Sequence, residues 1–584
     1  MTRLFNDPAS FAEEMVEGFV AASGRWVRAV DGGVVRSTQV APGTVAVVIG
    51  GGSGHYPAFG GLVGQGLAHG AAIGNLFASP SSQQVYSVAA AAQTGGGVLL
   101  TYGNYAGDVL NFDLAQDRLR ADGIDCRTVV VTDDISSASP AERGKRRGIA
   151  GDLAVFKVAG AAAEAGYSLA DVTRVAAATN ARTRSLGVAF TGCTLPGASE
   201  PLFTVEQGRM AVGLGIHGEP GISEQDVPSA DGLAELLVET LLREVPAEVQ
   251  PAGGSHVAVV LNGLGSSKYE ELFVVYRRVS RLLAAAGLEV VDPEVGELCT
   301  SFDMAGVSLT LCWLDEELER LWRAPADGAG YRKGSVPRAA AAGRVEVAPD
   351  GAHEVPRASE ESRVAAGVVV DALAAVFTTI DHHAVELGRL DSVAGDGDHG
   401  LGMRRGALAA LDAARAAQAR GAGAGTVLDR AARAWAHRGG GTSGALWGLA
   451  LGALAGHLGD VRVPRTADVS AGVADALRAV VRSGGAGVGD KTMVDALVPF
   501  SEVLDRETAA GTSLAAAWGA AAAAAQQAAE QTAALVPKLG RARPHAERSV
   551  GTADPGAMSL ALVTRAVQDV LAERSPSVTT EERL

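Results

Sequence analysis

The chain has 584 residues, with 50 Lys and Arg against 66 Asp and Glu and a formal net charge of −16; so large an excess of acid argues against a polyanion-binding protein, which carries a basic patch, but leaves room for a small anion held by a few local cations. With 47% hydrophobic and 20% charged residues it can bury large cores, and its length predicts more than one domain. Cys126, Cys193, Cys299 and Cys312 form no CxxC pair, which argues against a disulfide scaffold or a zinc site and predicts a cytoplasmic protein with reduced, buried thiols.

At the start, MTRLFNDPASFAEEM carries acids where a signal peptide needs an apolar core. The runs TVAVVIGGG, GGVLLTYGNY, CRTVVVTDD and SHVAVVLNG then end at Gly, Asn or Asp, with amphipathic stretches such as LAVFKVAGAAAEAGYS between them. This alternation predicts buried parallel strands with crossover helices, an α/β half over residues 1–325. In VVIGGGSGHYP, His55 and a Gly/Ser loop directly follow a strand, where α/β folds place ligands. YGNYAGDVLNF puts Asp108 just after another strand. A His and an Asp at adjacent strand ends make a general-base pair, although a lone His there is also a common structural residue. In GLGIHGEPG, glycines on each side expose His217 and leave room for a ligand; the alternative is a tight turn with an incidental His.

Around Arg323 the pattern dissolves into RAPADGAGYRKGSVPRAAAAGRVEVAPDGAHEVPRASEES, read as an interdomain linker over 326–361. From 362 to 574 the chain is alanine-rich and helical, as in ALAALDAARAAQARG and VSAGVADALRAVVRS, which predicts an all-α half. Residues 575–584 read as a disordered tail. GALWGLALGALAGHLG is too short and too broken by glycine to be a membrane span, and no membrane partner is expected.

AGDGDHG, HRGGGTSGALWG, SGGAGVGDKTMVDAL and GRARPHAERSVGTADPGA interrupt these helices. Each alone reads as a loop joining helices; four of them, combining Gly with Asp, Ser, Lys or Arg, point to a shared site. Asp391, Asp396 and Asp398 crowd one glycine-rich stretch. Two such charges near 4 Å repel by about 1 kcal/mol in water and about 4 at a protein-like dielectric. A hard divalent cation is the natural counterweight, since carboxylates hold Mg²⁺ while phosphates complete its shell. GGTSGALWG would open a helix whose N–H groups suit phosphate. The combination predicts a nucleotide-triphosphate site that is neither a Walker A loop nor a protein-kinase loop.

GGGSGH, NYAGDVLNF, RRGIAG and GIHGEPG, followed by GDGDHG, GGTSG, GDKTMVDAL and ERSVGTADPGA, resemble in order the K and L domains of the single-chain, ATP-dependent dihydroxyacetone kinases. The resemblance covers almost the whole chain. It implies an α/β K domain, an L domain built as a barrel of eight helices, and phosphorylation of a short ketose, erythrulose or dihydroxyacetone. It implies that His217 holds the ketone as a covalent hemiaminal. His55 would accept the proton of the hydroxyl, with Asp108 assisting, and Gly52, Ser53 and Gly54 would line the same pocket. Asp391, Asp396 and Asp398 are then ligands of two Mg²⁺ ions bridging the ATP phosphates. His399, Gly400, Thr442, Ser443, Gly484, Met493, Arg541, Asp554, Pro555 and Gly556 would hold the nucleotide. The expected assembly is a homodimer.

The chain departs from the family pattern at Tyr56, where Glu is common, at Gly103, where Lys is common, and at Gly402, where Asn is frequent. The first two changes remove an acid and a base from the substrate-side loops and point to a pocket rebuilt for a longer ketose, with erythrulose favoured. The third leaves one nucleotide or Mg²⁺ contact open. Two other activities accompany the resemblance: splitting FAD to a cyclic flavin phosphate, and non-catalytic ketose sensing.

Overall fold

The first apolar run becomes a strand, Ala46–Ser53, buried along its whole length, inside the first of two units, Met1–Pro349 and Asp350–Leu584. The structure is a computed structural model and describes residues 4–198, 200–217, 219, 221–247, 249, 255–337, 339–342, 355–393, 395, 397–539 and 549–574. The tail 575–584 lies outside them.

In the first unit the strands are β1 (Val27–Val30), β2 (Gly33–Arg36), β3 (Ala46–Ser53), β4 (Gly64–Gln65), β5 (Gly70–Leu76), β6 (Val98–Gly103), β7 (Cys126–Val131), β8 (Thr183–Ala189), β9 (Arg209–Val212), β10 (Ser223–Asp226), β11 (Ser255–Gly263), β12 (Leu288–Gly296), β13 (Gly306–Leu314), β14 (Ala326–Gly328) and β15 (Arg332–Lys333). The helices are α1 (Phe11–Ser23), α2 (Ser82–Ala92), α3 (Ala106–Ala121), α4 (Asp152–Glu164), α5 (Leu169–Ala181), α6 (Ala230–Leu242), α7 (Tyr269–Ala285) and α8 (Glu316–Arg323). One sheet runs β1-β2-β5-β3-β6-β7 and a second β10-β9-β8-β13-β11-β12.

The centre of the first sheet is parallel, β5 with β3, β3 with β6 and β6 with β7. Along β6 side chains alternate: Leu99 joins the core under α4 and α5, while Val98, Leu100 and Tyr102 join the core under α2 and α3. Helices on both faces explain why these strands read as unbroken apolar runs. The expected α/β half is present, and its second sheet is mixed. SHVAVVLNG, now β11, pairs antiparallel with β13 and parallel only with β12. A strand buried on both faces has the same apolar texture in either direction, so composition did not separate the two cases.

The start of the stretch read as a linker, 326–361, carries two short strands. β14 and β15, expected to lie in the linker, pair with each other, and β14 pairs with β4. Asp327 accepts from Trp26 Nε1 at 3.0 Å, and buried Tyr331 donates to Glu294 at 2.7 Å. Strands this short carry no periodic signal.

The second unit consists, among its described residues, of α9 (Glu360–Asp391), α10 (His399–Ala419), α11 (Ala424–Gly439), α12 (Gly441–Leu458), α13 (Thr466–Gly484), α14 (Val494–Ala509), α15 (Leu514–Gln531) and α16 (Pro555–Arg574), with one short 3₁₀ turn. Each helix packs on the next in chain order, and α16 packs back on α9, closing a ring of eight. α9 is long and apolar enough to cross a membrane; here it packs against α10, α11 and α16. Alanines dominate the core, so the few large side chains carry much of its packing. Trp435 is 1% exposed and stacks on Trp447 at 5.2 Å. Trp435→Ala is expected to lower stability by about 3–5 kcal/mol, read as a lower urea midpoint at unchanged slope. A loss below about 1 kcal/mol would contradict this packing role.

Candidate functional site

β3 delivers GGGSGH to the carboxyl edge of the first sheet. Gly52 and Ser53 close the strand, and Ser53 Oγ donates to the Gly74 carbonyl at 2.6 Å. Gly54 has φ +108, and a Cβ there would lie 2.5 Å from the Phe302 ring and 2.7 Å from the Phe77 ring, so only glycine turns the chain at this point. The turn buries His55 to 1% exposure and stacks its ring on Phe77 at 4.9 Å.

His55 and His217 meet, with their Nε2 atoms 3.0 Å apart. His55 Nδ1 lies 2.7 Å from the Thr300 carbonyl oxygen. A carbonyl only accepts, so Nδ1 carries a proton. His217 is held by Glu219 twice: the backbone N–H donates to Oε2 at 3.0 Å, and Nδ1 lies 3.2 Å from Oε1. Burial alone would push the Glu219 carboxyl up, but His217 and Arg147 outweigh it and hold the group well below the usual carboxylate range. Glu219 is therefore an anion that only accepts, and His217 Nδ1 is also protonated. With both Nδ1 atoms occupied, the Nε2–Nε2 contact needs one further proton between the rings. With that proton in place, the pair carries one positive charge against Glu219.

Arg147 stands 3.8 Å from Glu219, pairs with Asp134 at 2.7 Å and donates to the Gly213 carbonyl at 3.2 Å. Tyr105 sets its ring edge-on to His217 at 4.7 Å and donates to the Gly148 carbonyl at 3.0 Å. Phe77 also faces His217, at 5.1 Å. Asp108 lies in the first turn of α3, just past β6, the strand that pairs with β3. Its charge is felt by Asp152 and Tyr102. Tyr56 is half exposed, its ring edge-on to Phe19 with the centroids 5.9 Å apart. Sequence reasoning missed Glu219, Arg147, Tyr105, Phe77 and Thr300 as individual residues. Glu219 and Arg147 were inside the quoted motifs; Phe77 and Thr300 come from distant loops with no local signal.

In the second unit the loop between α9 and α10 joins Asp391, the last residue of α9, to Asp398, the cap of α10. A Cβ at Gly400 would lie 1.9 Å from the Ala384 carbonyl, so glycine is what lets α10 start against α9. His399 is buried, and its neutral form is favoured by that burial. Its backbone N–H donates to Asp391 at 3.3 Å, and its ring reaches Ser559 Oγ at 3.0 Å and Ser443 Oγ at 3.4 Å. One imidazole thus ties together the N-terminal turns of α10, α12 and α16. Converging helix N-termini favour an anion. Thr442 lies in the same first turn of α12.

Pro555 and Gly556 open α16, and Asp554 just before them accepts from Ala557 N–H at 2.7 Å. Met493 caps α14, with its Cβ 3.5 Å from where a Cβ on Gly556 would stand, and Gly484 ends α13. Asp495, not nominated from the sequence, accepts from Gly489 and Thr492 N–H groups at 2.5 and 2.8 Å. Lys491, also missed, donates to the Ser549 carbonyl at 2.6 Å and lies in the field of Asp554. Arg541 and Asp396 lie outside the described residues.

Among the described residues no three carboxylates stand at metal-ligand spacing. The electrostatics nonetheless suit a cation. Burial, with Asp391 adding to it, pushes the Asp398 carboxyl up to about 7; burial, Asp391 and Asp495 do the same to Asp554. Half-buried carboxyls that resist ionising until a positive charge arrives suit Mg²⁺.

Residues 17–330 match the Dak1 domain and residues 393–569 the DAK2 domain. The chain is 60% identical to an L-erythrulose kinase of Pectobacterium atrosepticum, over 100% of this chain and 98% of that one. It is 56% identical to a D-erythrulose kinase of Mycolicibacterium smegmatis, over 97% and 98%. The crystal structure of the dihydroxyacetone kinase from C. freundii in complex with AMP-PNP and Mg²⁺ superposes with a TM-score of 0.52 at 30% identity, covering 97% of this chain and 99% of that one. Two domain matches in one chain, in this order, and identity sustained along its whole length have one explanation: the chain belongs to the dihydroxyacetone kinase family.

Proposed function

We propose that this protein transfers the γ-phosphoryl group of ATP to a hydroxyl of a short ketose, with erythrulose preferred over dihydroxyacetone. The observation that carries the reading is the proton-sharing contact of His55 and His217, backed by Glu219. His217 Nε2 adds to the ketone carbon, and the C=O π pair moves to oxygen. That oxygen takes the proton held between the rings and becomes the hemiaminal hydroxyl. His217, now bonded at Nε2 and still protonated at Nδ1, keeps its positive charge against Glu219. His55 is left neutral with a free Nε2 lone pair, ready to accept the proton of the attacking hydroxyl, with Asp108 assisting.

Asp391, Asp396 and Asp398 would hold two Mg²⁺ ions, which neutralise phosphate charge when bound. His399, Thr442, Ser443 and the start of α16 would cradle the nucleotide, with Arg541 in the same role. Higher identity to erythrulose kinases than to triokinase/FMN cyclases favours this reading over the flavin lyase, and similarity along both units favours it over a sensor built from the first unit alone. The free, buried cysteines suit a reducing cytoplasm, and self-association as a homodimer belongs to the same proposal.

The test is ATP-dependent phosphorylation of C3 to C5 ketoses and glycerol. Erythrulose is expected to exceed dihydroxyacetone in kcat/KM by about 10- to 200-fold, and glycerol to be inert. A clear preference for dihydroxyacetone would overturn the substrate assignment. Efficient glycerol phosphorylation would overturn the hemiaminal.

A further inference from the structure

Beside the histidine pair the structure holds a carboxyl oxygen without a partner. Asp152 opens α4 and is 3% exposed; its Oδ1 is closed to solvent and makes no hydrogen bond among the described residues. Native folds rarely leave such an atom unanswered. Backbone stands close to it: a Cβ at Gly148 would lie 3.0 Å from Asp152 Oδ1 and 2.4 Å from Gly103 Cα. Gly103 in turn faces Tyr105, whose Cε2 lies 3.3 Å from the position of a Cβ on Gly103, and the Tyr105 ring is the one edge-on to His217. The route from His217 to Asp152 is thus one aromatic ring and a pair of glycines.

Two further observations place Asp152 at the pocket. Thr101 lies on the same face of β6 as Gly103, two residues away, and its Oγ1 is likewise buried with no hydrogen bond among the described residues. Asp108, Tyr105 and Cys299, the last adjoining the Thr300 that fixes His55, all interact electrostatically with Asp152. Burial, with Asp133 and Asp108 adding to it, holds the Asp152 carboxyl well above the usual range. A neutral carboxylic acid both donates and accepts, which suits an alcohol.

We propose that Asp152 is a specificity-determining residue whose carboxyl hydrogen-bonds the hydroxyl that a four-carbon ketose carries beyond the dihydroxyacetone skeleton. This rests on the ketose-kinase reading above. A site built around a substrate hydroxyl discriminates strongly against the analogue lacking it, because its buried polar group is then left unanswered.

The experiment measures the ratio of kcat/KM for erythrulose to that for dihydroxyacetone in the full-length enzyme with ATP. Asp152→Val is expected to lower the ratio by about 10- to 200-fold. Asp152→Asn, which still donates and accepts, should hold it within about 5-fold, since it keeps the hydrogen bond. If the valine variant does not fold, Asp152→Ser, whose shorter side chain withdraws the polar atom, should show the same drop. Equal losses for both ketoses, or an unchanged ratio, would make Asp152 a structural residue and overturn the proposal. Failure of the ketose-kinase reading shows earlier and separately, as wild-type enzyme that phosphorylates neither ketose.

Discussion

His217→Ala is expected to lower kcat/KM for the ketose by about 10²- to 10⁴-fold while leaving ATP affinity within about two-fold. Covalent attachment turns the phosphoryl acceptor into part of the protein, and most of the loss is the orientation that attachment provides. A second part is chemical: without the partner ring, His55 loses the 3.0 Å contact through which its Nε2 shares a proton. Selectivity should also fall, because a pocket without the adduct no longer demands a carbonyl. Steady-state kinetics with erythrulose and glycerol, and calorimetric titration with an ATP analogue, check this. Unchanged ketose affinity in the variant would reject a covalent role for His217.

Asp398→Asn is expected to cut phosphoryl transfer by about 10³-fold with ketose binding intact, the several kcal/mol that a bound metal contributes to a charged transition state. The substitution keeps the shape of the α10 cap and removes one charge from a half-buried carboxylate cluster. Two effects of opposite sign follow. Without metal the variant should melt higher than wild type, since position 398 no longer faces Asp391 as a like charge. With Mg²⁺ the order should reverse, because only the wild type gains metal-binding energy. Thermal melts with and without Mg²⁺, beside kcat at saturating ketose, provide the test. Near-normal turnover, or an equal Mg²⁺-induced shift in both proteins, would remove Asp398 from the metal site.

Much of both sites could be read along the chain because their chemistry is packed into contiguous stretches. GDGDHG places two carboxylates, an imidazole and the glycine that lets α10 start against α9 within six residues. GGGSGH puts a strand end, a left-handed turn and a buried imidazole into the same length. The two-half organisation was equally legible, since helix periodicity and unbroken apolar runs are local consequences of which faces are buried.

What the chain order could not state was partnership. His55 takes its proton arrangement from the Thr300 carbonyl, 245 residues away, and His399 is tied to Ser559 across 160. Which nitrogen carries a proton depends on the acceptor opposite it, and only folding decides that acceptor. The direction of β11 in its sheet and the pairing of β14 and β15 belong to the same class, because a buried strand has the same composition whichever way its neighbour runs. Asp152 shows the limit most clearly. In the sequence it is an ordinary acid at a helix start, and only the tertiary structure, by enclosing Oδ1 between Gly148 and the sheet without a donor, makes it a group that asks for a ligand. Composition and spacing determine which chemistry is available; the cost of burying a polar atom unanswered, which decides where that chemistry is used, exists only once the chain has folded.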